Sequence, residues 1–251
     1  MGGADRSDRR RRQTAAEARL RAAGMAQQKG PGGTTLVIAI VAVVVIAAIV
    51  VGVVVTLNNR STSEVAATYP VSRDGAVVVA GQASAPVTVD VYEDYLCPYC
   101  ERLENQYGDE ITTALNAGQI KVNYHAVTIL DTRSRPAGYS TRAADAALCA
   151  VDAGIWPAYH AALYADQPAE GSAGPSDEEL TATGTDLGAP ASFGQCVAGT
   201  GNDAAITSAT QADETNPALQ TDGQFGTPTV TVNGQKVDVN DTQWLQRAIA
   251  G

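Results

Sequence analysis

The chain has 251 residues and a mass of 25.9 kDa, more than one small domain needs and too little for two large ones. Its net charge of −10 is unevenly placed: residues 1–33 hold eight Arg or Lys against three Asp or Glu, so this head carries +5 and the rest −15. An acidic body excludes nucleic-acid binding there, because phosphate contacts need clustered cations.

Residues 36–55 read LVIAIVAVVVIAAIVVGVVV, without a charge, an amide or a hydroxyl. Such a helix is about 30 Å long and matches the hydrocarbon thickness of a bilayer, which predicts a transmembrane helix within 34–57. A buried core helix would show a polar stripe, and a signal peptide would have a shorter apolar run and a small-residue cleavage pattern. Arg9, Arg10, Arg11, Arg12, Arg19 and Arg21 precede the span, whereas Arg60 and Arg73 are the nearest cations after it. The bias places residues 1–33, a basic disordered leader, in the cytoplasm and exports the body as a single-pass protein of the cell membrane. Residues 58–73, NNRSTSEVAATYPVSR, are polar and aperiodic and read as a tether. The folded domain then covers 74–251, with seven cations against 23 acids.

All four cysteines, Cys97, Cys100, Cys149 and Cys196, lie beyond the span. An even number in an exported domain suits an oxidising compartment, and the simplest pairing joins Cys97 to Cys100 and Cys149 to Cys196. Before the first pair, Pro86–Tyr92 (PVTVDVY) reads as a strand entered from a turn. After it, Tyr99, Leu103, Tyr107, Ile111 and Leu115 recur every four residues and a Gly follows, the pattern of an amphipathic helix. The Cys-Pro-Tyr-Cys segment therefore sits where a strand hands over to a helix. Cys97 falls at the N-cap, Pro98 at the first helical position, where a missing N–H costs nothing, and Cys100 within the first turn. A sulfur at the N-cap faces unpaired amides and the positive end of the helix dipole, so its thiolate is favoured. A thiolate of depressed pKa both attacks disulfides and leaves them readily. Cys97 is accordingly the expected exposed, attacking sulfur and Cys100 the resolving one.

Other chemistry fits less well. The histidines, His125 and His160, and the separated Cys149 and Cys196 assemble no zinc set, so no metal is expected. Both histidines read as packing or surface residues, since thiol exchange at an activated cysteine needs no histidine. Near the far end, Gly226-Thr227-Pro228 precedes TVTV, Asn233-Gly234 and QKVDV, a strong hairpin signal. A cis Thr227–Pro228 bond is compatible with that placement, as is a trans proline that opens a strand.

The order of strand, CPYC helix, strand at Ile120–Val127, helical middle, Gly-Thr-Pro, hairpin and last helix from about Asp241 resembles the thioredoxin fold with the helical insertion of DsbA-like thiol-disulfide oxidoreductases. The resemblance is to the membrane-anchored bacterial type and covers about residues 76–250. It implies an α/β fold whose insertion spans about 136–217. It also implies Cys97 as nucleophile, Cys100 as resolving cysteine and Pro98 and Tyr99 as the dipeptide that tunes potential. Thr227 and Pro228 match the cis-proline loop that binds substrate backbone, and no cofactor is implied. The implied partners are unfolded or partly folded exported proteins and a quinone-linked membrane protein, or a membrane electron donor if the exchange runs as reduction. No dimerisation domain like those of isomerase relatives is visible between span and fold, which favours a monomer. Where many relatives place a buried acid, six residues before the first cysteine, this chain has Val91, with Asp90 and Glu93 nearby. Within the insertion, Ser140 or Thr141 is expected to cap a helix running through Ala153, Trp156–Ala165 continues the pattern, and Ser176 opens another helix. Disulfide donation to exported proteins is the leading function. A reductase or isomerase running the same exchange, and a redox-inert binding module, remain open.

Overall fold

The computed structural model describes residues 14–15 and 65–250. Among the described residues no helix is long and apolar enough to cross a membrane, and the stretch 36–55 lies outside them.

The described strands form a six-stranded mixed sheet ordered β1-β2-β4-β3-β5-β6. They are β1 Val71–Asp74, β2 Val77–Ala80, β3 Val87–Glu93, β4 Ile120–Ala126, β5 Thr229–Val232 and β6 Gln235–Lys236. β3 and β4 run parallel, with Val89 opposite Val122, because the helix α1 (Pro98–Asn116) between them makes the crossover that parallel strands require. β5 pairs antiparallel with β3, setting Val230 opposite Val91. Alternation along β3 buries Val87, Val89 and Val91, and Ile120 and Val122 do the same on β4, so the sheet centre is almost fully apolar. Leu103, Tyr107, Ile111 and Leu115 of α1 are buried with them.

Two readings of the sequence need correction here. The tether ends earlier than residue 73: β1 starts at Val71, and before it Thr68 N donates to Asn116 Oδ1 at 2.7 Å while Asn116 Nδ2 donates to the Ala66 carbonyl at 2.9 Å. Gly75-Ala76 is the turn of a hairpin, with Gly75 at φ +59, and a two-residue turn between such short strands is easily taken for linker. Tyr99, counted in the buried stripe of α1, is 60% exposed. Spacing by four overshoots the helical repeat by about 40° a step, so over the four steps back from Leu115 the stripe leaves the buried face. Cys100, three residues before Leu103, occupies that face instead.

The insertion holds α2 Tyr139–Asp152, α3 Trp156–Ala165, α4 Asp177–Asp186, α5 Ser192–Val197 and α6 Asp203–Thr215, and α7 Trp244–Ala250 follows β6. Neither Ser140 nor Thr141 caps α2, which begins after Gly138 in the left-handed region (φ 109). The Thr141 N–H is met from outside the helix by Asp131 Oδ1 at 2.9 Å. Ser176 does cap α4: its Oγ accepts from Glu179 N, and the Glu179 carboxylate accepts from Ser176 N, a reciprocal capping box. Cys149 and Cys196 are joined in a disulfide that ties α2 to α5 across 47 positions of sequence. Gly184 on α4 has no space for a Cβ, which would overlap the ring of Phe193.

Candidate active site

The site grows out of the end of β3. Asp94, fully buried, organises the turn that enters α1. Its Oδ1 accepts from Leu96 N at 2.9 Å and from Ser140 Oγ at 2.7 Å, its Oδ2 accepts from Leu130 N at 2.9 Å, and its carbonyl accepts from Cys97 N at 2.9 Å. Gln167, just past α3, donates Nε2 to the carbonyls of Tyr95 and Cys97, each at 3.1 Å. The turn is thus held from two sides by groups of the insertion.

Cys97 is the N-cap of α1, with extended backbone (φ −81, ψ 116), and Pro98 takes the first helical position. The Cys97 carbonyl opens the helical ladder, accepting from Cys100 N at 3.0 Å and Glu101 N at 3.2 Å. The expectation of an exposed sulfur fails: Cys97 is 4% exposed and Cys100 1%. The loop at Thr227–Pro228, whose peptide bond is cis, lies against Cys97. Its Thr227 carbonyl oxygen lies 3.4 Å from Cys97 Sγ. Tyr99 is the exposed member of the motif, with the Arg102 guanidinium 4.2 Å above its ring.

The two sulfurs, both free thiols here, have opposite acidities. The Cys97 pKa falls from an ordinary 9.0 to about 6, chiefly because the Cys100 thiol hydrogen-bonds to it. Burial opposes this, and the Thr227 side chain and the backbone N–H groups of Cys100 and Tyr99 add to it. The helix amides, read from the sequence as the main cause, are a smaller contribution than the neighbouring thiol. Burial drives Cys100 well above the usual thiol range, and its hydrogen bond to Cys97 and the Cys97 charge push it further. One sulfur is a thiolate at neutral pH and the other a thiol.

The buried acids are not at the position the resemblance suggests. Val91 is in the core, and Asp90 sits half-buried against Asn123, Thr231 and His125. Beside the motif, Glu93 and Asp94 are both buried, Glu93 at 3% exposure. Burial raises Glu93 to about 7 and Asp94 to about 6. The sequence reading left out Asp94 and Gln167. The available signal for Asp94 was an aspartate three residues before a helix N-cap, where its carboxylate can meet loop N–H groups.

An acidic sulfur at a helix start, a second, less acidic thiol one turn in and a proline loop beside them form an arrangement able to exchange thiols with disulfides. Residues 73–250 match the thioredoxin family, and the chain belongs to it. The serine/threonine-protein kinase PknE of Mycobacterium tuberculosis is 33% identical over 186 residues, 71% of this chain. The chain spans 32% of that relative's length. Among solved structures, the fold is similar to MdbA, a thiol-disulfide oxidoreductase from Corynebacterium diphtheriae, at a TM-score of 0.63 and 24% identity, covering 74% of this chain and 96% of that one. It is also similar to reduced DsbA from Mycobacterium tuberculosis, at a TM-score of 0.55 and 26% identity, covering 68% and 92%.

Proposed function

We propose that the chain donates disulfides to exported proteins through Cys97 and Cys100. In the oxidised pair, a client thiolate attacks the Cys97 sulfur, Cys100 leaves, and a second client thiol resolves the mixed disulfide. The observation that carries the direction is the acidity of Cys97, lowered to about 6. A stabilised thiolate stabilises the reduced enzyme, which makes the oxidised enzyme a stronger oxidant. Pro98 and Tyr99 set the geometry of the pair. Thr227 and Pro228 supply the backbone edge on which an extended client lies, a mode that tolerates many sequences. Cys149–Cys196 is a structural staple.

The apolar run 36–55 and the excess of Arg before it support a single-pass anchor with an extracytoplasmic catalytic domain. A quinone-linked membrane partner then reoxidises a monomeric enzyme that needs no cofactor of its own. Trapping tests the reading: Cys100→Ser should accumulate mixed disulfides with exported proteins through Cys97, and Cys97→Ser should abolish client oxidation. Wild-type levels of client oxidation in Cys97→Ser would leave a binding module with an inert cysteine pair.

A further inference from the structure

The segment that leaves α3 reaches back to the reacting cysteine. α3 stops at Ala165, and Pro168 follows closely: proline has no N–H for a helical ladder and bars the helical conformation to the residue before it. The chain turns at Asp166 and Gln167, where Gln167 N still donates to the Tyr164 carbonyl at 3.2 Å. The half-buried Gln167 side chain then donates Nε2 to the carbonyls of Tyr95 and Cys97, each at 3.1 Å. Tyr95 is held by the same helix, its ring 5.2 Å from that of Tyr164 and its hydroxyl 3.1 Å from His160 Nδ1.

At the Tyr95 carbonyl this is an ordinary bracing contact. At Cys97 it is more than that. The Cys97 carbonyl already receives Cys100 N at 3.0 Å and Glu101 N at 3.2 Å, one donor for each lone pair. Gln167 is a third donor, and it comes from the insertion rather than from the helix that Cys97 caps.

We infer that Gln167 is a positioning residue for the exchange: its amide N–H group orients the Cys97 carbonyl and offsets the partial negative charge of that oxygen, which belongs to the same residue as the reacting sulfur, so that negative charge on the sulfur is favoured. The inference rests on the exchange reading above. Pro98 holds Cys97 in extended backbone (ψ 116), and the donors around its carbonyl complete the orientation of that peptide. When a client thiolate attacks Cys97, the Cys97–Cys100 bond breaks and Cys100 leaves with the electron pair. When the second client thiolate attacks the client sulfur of the mixed disulfide, Cys97 leaves with the pair, and Gln167 eases that departure. The client dithiol is oxidised and the enzyme pair reduced. Of the two protons the client thiols lose, one ends on Cys100 and one in solvent. The Cys100 thiol is the first cause of the Cys97 acidity, and Gln167 acts on the same charge from the carbonyl side.

A brace that stabilises the oxidised and reduced folds equally leaves the potential where it is. A group that favours the thiolate stabilises the reduced fold alone and raises the potential.

The test compares full-length wild type with Gln167→Leu, which removes the donor, Gln167→Glu, which sets an acceptor against the two carbonyls, and Gln167→Lys, which keeps a donor. The pH dependence of Cys97 alkylation is read in the reduced proteins, and the reduction potential is read against glutathione at pH 8. In Gln167→Leu the alkylation midpoint should rise by about one pH unit, a tenfold weaker acid, and the potential should fall by the matching amount, about 30 mV. Gln167→Glu should exceed both shifts, and Gln167→Lys should not rise above the wild-type midpoint. A folded Gln167→Leu with wild-type midpoint and potential overturns the inference. So does one that loses stability at an unchanged potential, which is the signature of a brace alone. Gln167→Lys shifted as far as Gln167→Leu also overturns it, since the effect would then follow shape and not the donated hydrogen. If Gln167→Leu does not fold, the isosteric Gln167→Glu decides in the same terms. A wild-type chain that oxidises no dithiol peptide overturns the functional reading, whereas an active wild type beside unshifted variants overturns the role of Gln167 alone.

Discussion

Cys97 and Thr227 stand 130 positions apart in sequence, yet the sulfur of one lies 3.4 Å from the carbonyl oxygen of the other. The contact joins the N-cap of α1 to the entry of β5, and the pairing of β5 with β3 fixes it, since both elements leave from the same end of neighbouring strands. Chemistry at the sulfur and recognition at the loop are thereby set by one sheet register.

The order of contributions at Cys97 is testable. The Cys100 thiol lowers the Cys97 pKa more than the Thr227 side chain does. Cys100→Ala should therefore raise it further than Thr227→Val, as read from the pH dependence of iodoacetamide alkylation. The reverse order would place the main stabilisation in the proline loop.

The same acidity links redox state to stability. Cys97 titrates lower in the fold, about 6, than an ordinary thiol at 9.0, the value taken for the unfolded chain. Its contribution to the reduced form is thus complete above the unfolded value and fades as pH falls through about 6. In urea unfolding of the reduced proteins, the stability gap between wild type and Cys97→Ala should shift in favour of wild type from pH 5 to pH 9. A gap independent of pH would mean that Cys97 is an ordinary thiol.

Asp94 should prove essential to the active-site turn. Asp94→Ala strands the N–H groups of Leu96 and Leu130 and the hydroxyl of Ser140. A loss of about 3 kcal/mol is expected, with a smaller one for Asp94→Asn, which keeps an acceptor oxygen. Chemical denaturation measures both.

Removing the staple should cost stability and spare chemistry. The loop closed by Cys149 and Cys196 spans 47 positions, and losing it in the double serine variant should cost about 4 kcal/mol. Below its melting temperature that variant should still oxidise a client peptide through Cys97.

The most legible parts of the sequence were those where local chemistry dictates conformation. Cys-Pro after a β-branched run marks an N-cap followed by a proline that needs no N–H, and α1 begins there. Ser176 with Glu179 marks a capping box, and Asn233-Gly234 marks the turn between β5 and β6. The less legible features depend on tertiary contact. Spacing alone placed Tyr99 inward, and Cys97, itself buried, touches a loop 130 residues away. Asp94 and Glu93 are adjacent acids in sequence, and nothing local says that both turn inward. Their partners, Ser140 on α2 and His160 on α3, arrive only when the insertion packs down on the sheet end.

The reduction potential of the Cys97–Cys100 couple, measured by equilibration with glutathione, bears most directly on disulfide donation. A value well above that of thioredoxin, roughly −270 mV, and approaching the strongly oxidising range near roughly −120 mV, is the predicted result. A value at or below that of thioredoxin would contradict it and assign the pair to reduction.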